Sequence, residues 1–266
     1  MIRTVLTASQ CPAGPGSPYR LAPEVLLVMV EDGSARIVDL DGAVAALDAT
    51  ATTMMKAALR FGEAGAVAEL TGAFGVEPRR ITTDLHAVLG DLAARGMIRS
   101  DACGLPRRAR RSRRRVASAL SALAVRRAGA GGTREIQAWS ALTAAYLSLR
   151  LAGWSGTLGA WCTPGHPGWG NARQAAGNRN NSMADLDAIA VAVTRALDRH
   201  PFPLDCKERA LAAFALARTA GLPARIVLGI SLFPLALHAW CESGGQVVAD
   251  ELDGYCDRYT PLRIYG

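Results

Sequence analysis

Residues 201–230, PFPLDCKERALAAFALARTAGLPARIVLGI, and residues 235–250, LALHAWCESGGQVVAD, decide how this chain is read. Asp205 is a good N-cap and Glu208, three residues on, completes a capping-box pattern, so a helix begins with Cys206 at its first position. Leu211, Phe214 and Ala215 form its buried stripe, Gly221 and Pro223 end it, and ARIVLGI follows as a strand. A thiol at that position faces unpaired backbone N–H groups and the positive end of the helix dipole, both of which favour thiolate. Cys206 is thereby placed as a nucleophile. The second stretch alternates on either side of Ser243-Gly244-Gly245 and reads as a β-hairpin. With those three residues as the loop, Glu242 pairs with Gln246, Trp240 with Val248 and His238 with Asp250. Asp250 then fixes the tautomer of His238, and the other ring nitrogen takes the Cys206 proton: nucleophile, base and orienting carboxylate in chain order. A zinc site from His238, Cys241 and Cys256 ranks below this, because alternation turns Cys241 away from the His238 face. The chemistry calls for no metal and no organic cofactor.

Outward from this core, Ala184 to Arg199 reads as a helix, and Trp139, Leu142, Tyr146 and Leu149 mark another that ends near Gly153. The intervening 153–181 is rich in Gly, Pro and Asn and reads as a long loop; His166, between Gly165 and Pro167, reads as an exposed turn residue. The run PRRARRSRRR, Pro106 to Arg115, holds seven Arg and equals the whole net charge of +7, leaving the remainder neutral. A block of like charge resists packing, so 103–133 is expected to be a linker between domains at 1–102 and 134–266, with at most a short helix over Val116 to Ala128. Charge concentrated in a linker argues against a nucleic-acid-binding face, the rival reading in which a winged-helix regulator grips DNA through its Arg run.

In the first half, VLLVMV (25–30), the turn EDGS and ARIVDL (35–40) make a hairpin, and AVAALD (43–48) a third strand. Helical patterns follow over Thr53 to Phe61, Ala64 to Phe74 and Arg79 to Arg95, the last with Ile81, Leu85, Val88, Leu89 and Leu92 on one face, a spacing that marks most of them as core. The fold class is therefore α+β, with an N-terminal part of three strands and three helices whose order resembles the winged-helix type.

Fifty per cent hydrophobic residues over 266 suffice for folded cores and exclude wholesale disorder. The best apolar run, Val25 to Val30, is far below the ~20 residues of a membrane span, so no membrane association is expected. The N-terminus lacks the apolar stretch of a secretory signal, and six Cys without a C-x-x-C pair read as free thiols, so the cytoplasm is the expected compartment.

The three strands, three helices and the ending LAARGMI, over about 20–101, resemble the PqqD-like peptide-recognition domains, the recognition elements for leaders of ribosomally made natural products. That resemblance implies a leader strand added beside the third strand, at Val44, Ala45, Ala46 and Leu47, in a groove against the helix that carries Leu85, Val88, Leu89 and Leu92. The line from Cys206 through HAW (His238 to Trp240) to Asp250, with GLPARIVLGI between and YTPL near the end, resembles over about 134–262 the transglutaminase-like cysteine peptidases of lasso peptide biosynthesis, the B-protein family. It implies a papain-related peptidase domain that removes the leader of a lasso precursor and hands the core to an ATP-dependent cyclase. Lys207, where that family has an apolar residue, and the Gly/Asn-rich 153–181 depart from the pattern. A transamidating or amide-hydrolysing enzyme with the same triad is the alternative.

Overall fold

The computed structural model describes residues 2–7, 17–22, 24–40, 44–100, 107–129, 132–162, 179–232, 234–250 and 254–266. They fall into two units, Met1–Pro106 and Arg107–Gly266. The architecture is mixed α+β, with strands followed by helices in the first unit.

In the first unit β1 (Ile2–Thr7) pairs antiparallel with β3 (Val25–Val30), and β4 (Ala35–Asp39) and β5 (Val44–Leu47) complete a sheet in the order β1-β3-β4-β5. The hairpin and third strand match the sequence reading within a residue or two; β1 is an addition. So is the separate ribbon of β2 (Tyr19–Leu21) with β6 (Ile98–Ser100). β5 is an edge strand with period-two burial: Val44 and Ala46 are exposed, Ala45 and Leu47 buried.

Helix α1 (Ala49–Phe74) starts at Asp48, whose carboxylate accepts the Ala51 N–H at 2.7 Å. Gly62, at φ 72°, interrupts it, so that it runs as the two helices the periodicity predicts. Helix α2 (Pro78–Ala94) begins with Pro at its first turn and buries Ile81, Leu85, Leu89 and Leu92 against Val25, Leu27, Ile37, Met55 and Leu59. Leu85, Leu89 and Leu92 are therefore core, each at most 4% exposed, and offer no surface to a peptide; only Val88 of that face is partly buried. The 3.6-residue period that singles them out is the period of core packing, which corrects their place among the peptide contacts.

In the second unit the Arg-rich segment is helical: α3 (Arg107–Gly129) packs along α4 (Arg134–Trp161). Ala117, Ser121 and Ala124, all at most 2% exposed, form a seam of small residues that lets the two helices approach closely. Where the sequence suggests a linker over 103–133, the chain is helical from Arg107 and packs on α4. Helix α4 is broken at Gly153 (φ 69°) but resumes to Trp161, whose indole N–H donates to Ser148 Oγ at 3.2 Å across the break. The expected loop at 153–181 is thus shorter at both ends, since α5 (Arg179–Asp198) already begins at 179. Its middle, with His166, lies outside the described residues.

Helix α6 (Cys206–Thr219) follows, and then β7 (Ala224–Leu232), β8 (Leu235–Ser243), β9 (Gln246–Val248), a 3₁₀ turn at Tyr255–Arg258 and β10 (Thr260–Tyr265), in the sheet order β10-β7-β8-β9. Every residue from Ala210 to Ala217 is buried, because α3, α4, α5, β7 and β8 all pack on α6. A helix enclosed on every side needs small residues for close approach, and ALAAFALA supplies them. No helix among the described residues is long and apolar enough to cross a membrane.

Truncating a buried leucine loses its transfer energy and leaves a cavity, so Leu85→Ala should cost about 2–5 kcal/mol, read as a lowered urea midpoint of the first unit. A peptide-contact residue at that position would instead leave the midpoint in place.

Candidate active site

The start of α6 is built as its sequence prescribes. Asp205, in extended backbone, accepts the Cys206 N–H at 2.6 Å and also takes the Glu208 N–H, while Glu208 Oε2 accepts the Asp205 N–H at 3.0 Å. Cys206 is 7% exposed and lies against β8, where the Ala239 N–H donates to its sulfur.

The electrostatics run against the expectation of a thiolate. Burial pushes the Cys206 thiol up to about 12, the Asp205 carboxylate beside it adds to the rise, and the Ala239 N–H and Lys207 only partly oppose it. Desolvation outweighs the helix dipole, whose field near a terminus is worth about 0.3–1 kcal/mol at exposed sites. The resting Cys206 side chain is therefore a neutral thiol.

His238, 3% exposed, sits in β8 directly opposite Gly229 of β7, and its Nε2 lies 2.8 Å from Asp250 Oδ1. The route to that contact differs from the expected register. Ser243 pairs with Gln246, Glu242 with Val247 and Cys241 with Val248, so the turn is the two-residue Gly244-Gly245 with φ of 60° and 86°. In that register Asp250 would project to the wrong face if β9 continued. It does not: β9 stops at Val248, and Ala249 takes a left-handed φ of 59° that swings Asp250 back toward the imidazole. Among the described residues Ala249 is the one non-glycine with positive φ, a conformation that costs about 1–2 kcal/mol.

Aromatic rings wall the imidazole. Tyr255 meets it edge-on at 5.0 Å between centroids, Tyr259 is tilted at 5.0 Å and Trp240 is stacked at 5.9 Å. The Tyr259 hydroxyl donates to that of Tyr255 at 3.2 Å, tying the 3₁₀ turn to the start of β10. Gly229 makes room for this cage: a Cβ there would come within 2.7–2.8 Å of the Trp240 ring and of Tyr259 Cβ. Sequence reasoning passes over Tyr255, Tyr259 and Gly229; GIS in the middle of an otherwise β-branched strand was the available signal, since an interior strand glycine marks close approach by a neighbour.

Cys241 is fully buried, and among the described residues no group of three or more His, Cys, Asp or Glu is placed to hold a metal.

The start of α6 thus carries a buried cysteine, and β8 a buried histidine that a carboxylate orients. Residues 158–263, within the second unit, match the model of the transglutaminase-like superfamily, whose members are cysteine-type enzymes. Comparison with curated proteins and with solved structures returns no match.

The strained turn can be tested directly. Ala249→Gly should raise stability by up to about 1 kcal/mol in thermal denaturation, because glycine adopts positive φ without strain. Ala249→Val should lower activity at least tenfold, because a β-branched residue resists that conformation and Asp250 loses its aim.

Proposed function

We propose that this chain is a leader peptidase of lasso peptide biosynthesis, with recognition in the first unit and hydrolysis in the second. The observation that carries this reading is the 2.8 Å His238–Asp250 contact behind a helix-start cysteine in a transglutaminase-like domain. Cys206 attacks the carbonyl of the leader–core bond while its proton passes to His238 Nδ1. The tetrahedral intermediate collapses to an acyl-thioester as the imidazolium protonates the leaving amine. Water, deprotonated by the same nitrogen, then attacks the thioester and restores the thiol. Asp250 stabilises the imidazolium at each stage. No cofactor enters the cycle.

For recognition, β5 offers the unpaired edge of a four-stranded sheet, with Val44 39% exposed. An extended leader can add there as a further strand, its main chain giving affinity and its side chains specificity. Beside the end of β5 lies an apolar cavity of about 480 Å³ lined by residues including Ala49, Met54, Leu70, Phe74 and Ile81, with Arg80 and Asp84 among its polar members. It replaces Leu85, Leu89 and Leu92 as the surface for leader side chains. The core peptide released would pass to an ATP-dependent cyclase, and neither membrane nor nucleic acid takes part in a reaction placed in the cytoplasm.

Cys206→Ala should abolish leader removal, followed by mass spectrometry, while leader affinity by fluorescence anisotropy stays within about twofold; cleavage at the wild-type rate would remove Cys206 from the mechanism. A product with the leader's acyl group on an added amine, in preference to water, would favour transamidation. Val44→Pro, which deletes an N–H on the edge strand, should weaken leader binding more than Arg111→Ala at moderate salt. The reverse ranking would mean that the leader is held by charge and not by strand addition.

A further inference from the structure

The N-cap that starts α6 also occupies the machinery. The Cys206 N–H is the donor nearest the reacting carbon in any attack by its own sulfur, and so the natural first member of an oxyanion hole. In this structure that N–H is spent on Asp205 Oδ1 at 2.6 Å, and the thiol too bonds to the Asp205 side chain. The carboxylate is itself anchored from behind, because the Asp205 backbone N–H is fixed by Glu208 and its side chain also takes the Glu208 N–H.

We propose that Asp205 is a positioning residue that latches the resting nucleophile, holding the Cys206 thiol protonated and its N–H engaged until substrate displaces the carboxylate. The inference rests on the reading of Cys206 as the nucleophile. The charged groups that act on the thiol are Asp205 and Lys207 from its own helix start, with Glu208 beside them in the capping box, and β8 brings the Ala239 N–H to it. Among the described residues, α3, α4, α5 and β7, which also pack on α6, bring no charge that acts on it. Asp205 is thus the one negative charge in contact with the sulfur, and capping needs only its oxygen, not its charge: asparagine caps a helix about as well.

That separation of roles makes the test. Asp205→Asn keeps the cap and removes the charge, and Asp205→Ser provides a second neutral cap should the first fold poorly. The readout is the rate of Cys206 alkylation by iodoacetamide against pH, followed on the Cys206 peptide by mass spectrometry, which requires no substrate. The midpoint should fall by about one pH unit in both variants, which is about tenfold more thiolate at any pH below both midpoints, with the melting temperature kept within a few degrees. A midpoint that stays put in both folded variants would overturn the latch and leave the peptidase reading intact. Failure of the peptidase reading would show separately, as no leader cleavage by the wild-type chain, and failure of the nucleophile assignment as leader cleavage by Cys206→Ala.

Discussion

The enclosure of α6 is the constraint on which the rest of the second unit depends. A helix packed by three helices and two strands has no exposed face on which to vary, and from Ala210 to Ala217 it uses small residues wherever neighbours come closest. Its first residue is buried for the same reason. The cost of burying the last turn's carbonyls and first turn's N–H groups is met locally: by the Asp205–Glu208 capping box at one end, and at the other by Ala220, Gly221 and Leu222 N–H groups that bond back to Leu216, Arg218 and Ala217. Function is then a by-product of position, because the end that must be capped and buried is the end that carries the thiol.

Burial sets two demands against each other. A dry site strengthens every interaction made with a developing charge, which favours the tetrahedral intermediate, but it also holds the thiol neutral. Burial and the Asp205 carboxylate hold the Cys206 thiol neutral, while the His238 imidazole is held by a carboxylate and walled by three aromatic rings. Gly229 and Ala249 are both read in this light: one gives up a side chain and the other accepts backbone strain, and each does so to aim the same ring.

Much of this was legible before any coordinates. Local rules with short reach worked: the capping box at Asp205 and Glu208, the hairpin at 25–40, the helix break at Gly62; at Gly153, where the sequence reading ends a helix, the helix is only interrupted and resumes to Trp161. What failed needed knowledge of distant partners. β1 and β10 are strands only because β3 and β7 offer them edges, and their own sequences carry little period-two pattern. The Arg-rich segment looked like a linker because charge is conspicuous in a sequence, whereas Ala117, Ser121 and Ala124 matter only once α4 lies beside them. At the site, the meeting of His238 with Asp250 was readable from residue type and order, but the register was not. Turn chemistry permits either a two- or a three-residue loop at Ser243-Gly244-Gly245, and only a left-handed alanine, invisible to alternation, reconciles the shorter one with His238 meeting Asp250.

The first unit poses the opposite physical problem. An open strand edge invites indiscriminate pairing, and folded proteins shield such edges with charge, proline or covering elements. Among the described residues β5 carries neither charge nor proline within VAAL, and its four residues are too few to template a stable foreign sheet. A short neutral edge discriminates poorly by itself, since main-chain pairing is blind to sequence. Selectivity has to come from a neighbouring feature that reads side chains, and the cavity lined by Ala49, Met54 and Phe74 begins two residues past the strand's end. Strand and cavity together are within reach of one extended segment at about 3.3 Å per residue, whereas either alone would be a weak or a promiscuous binder.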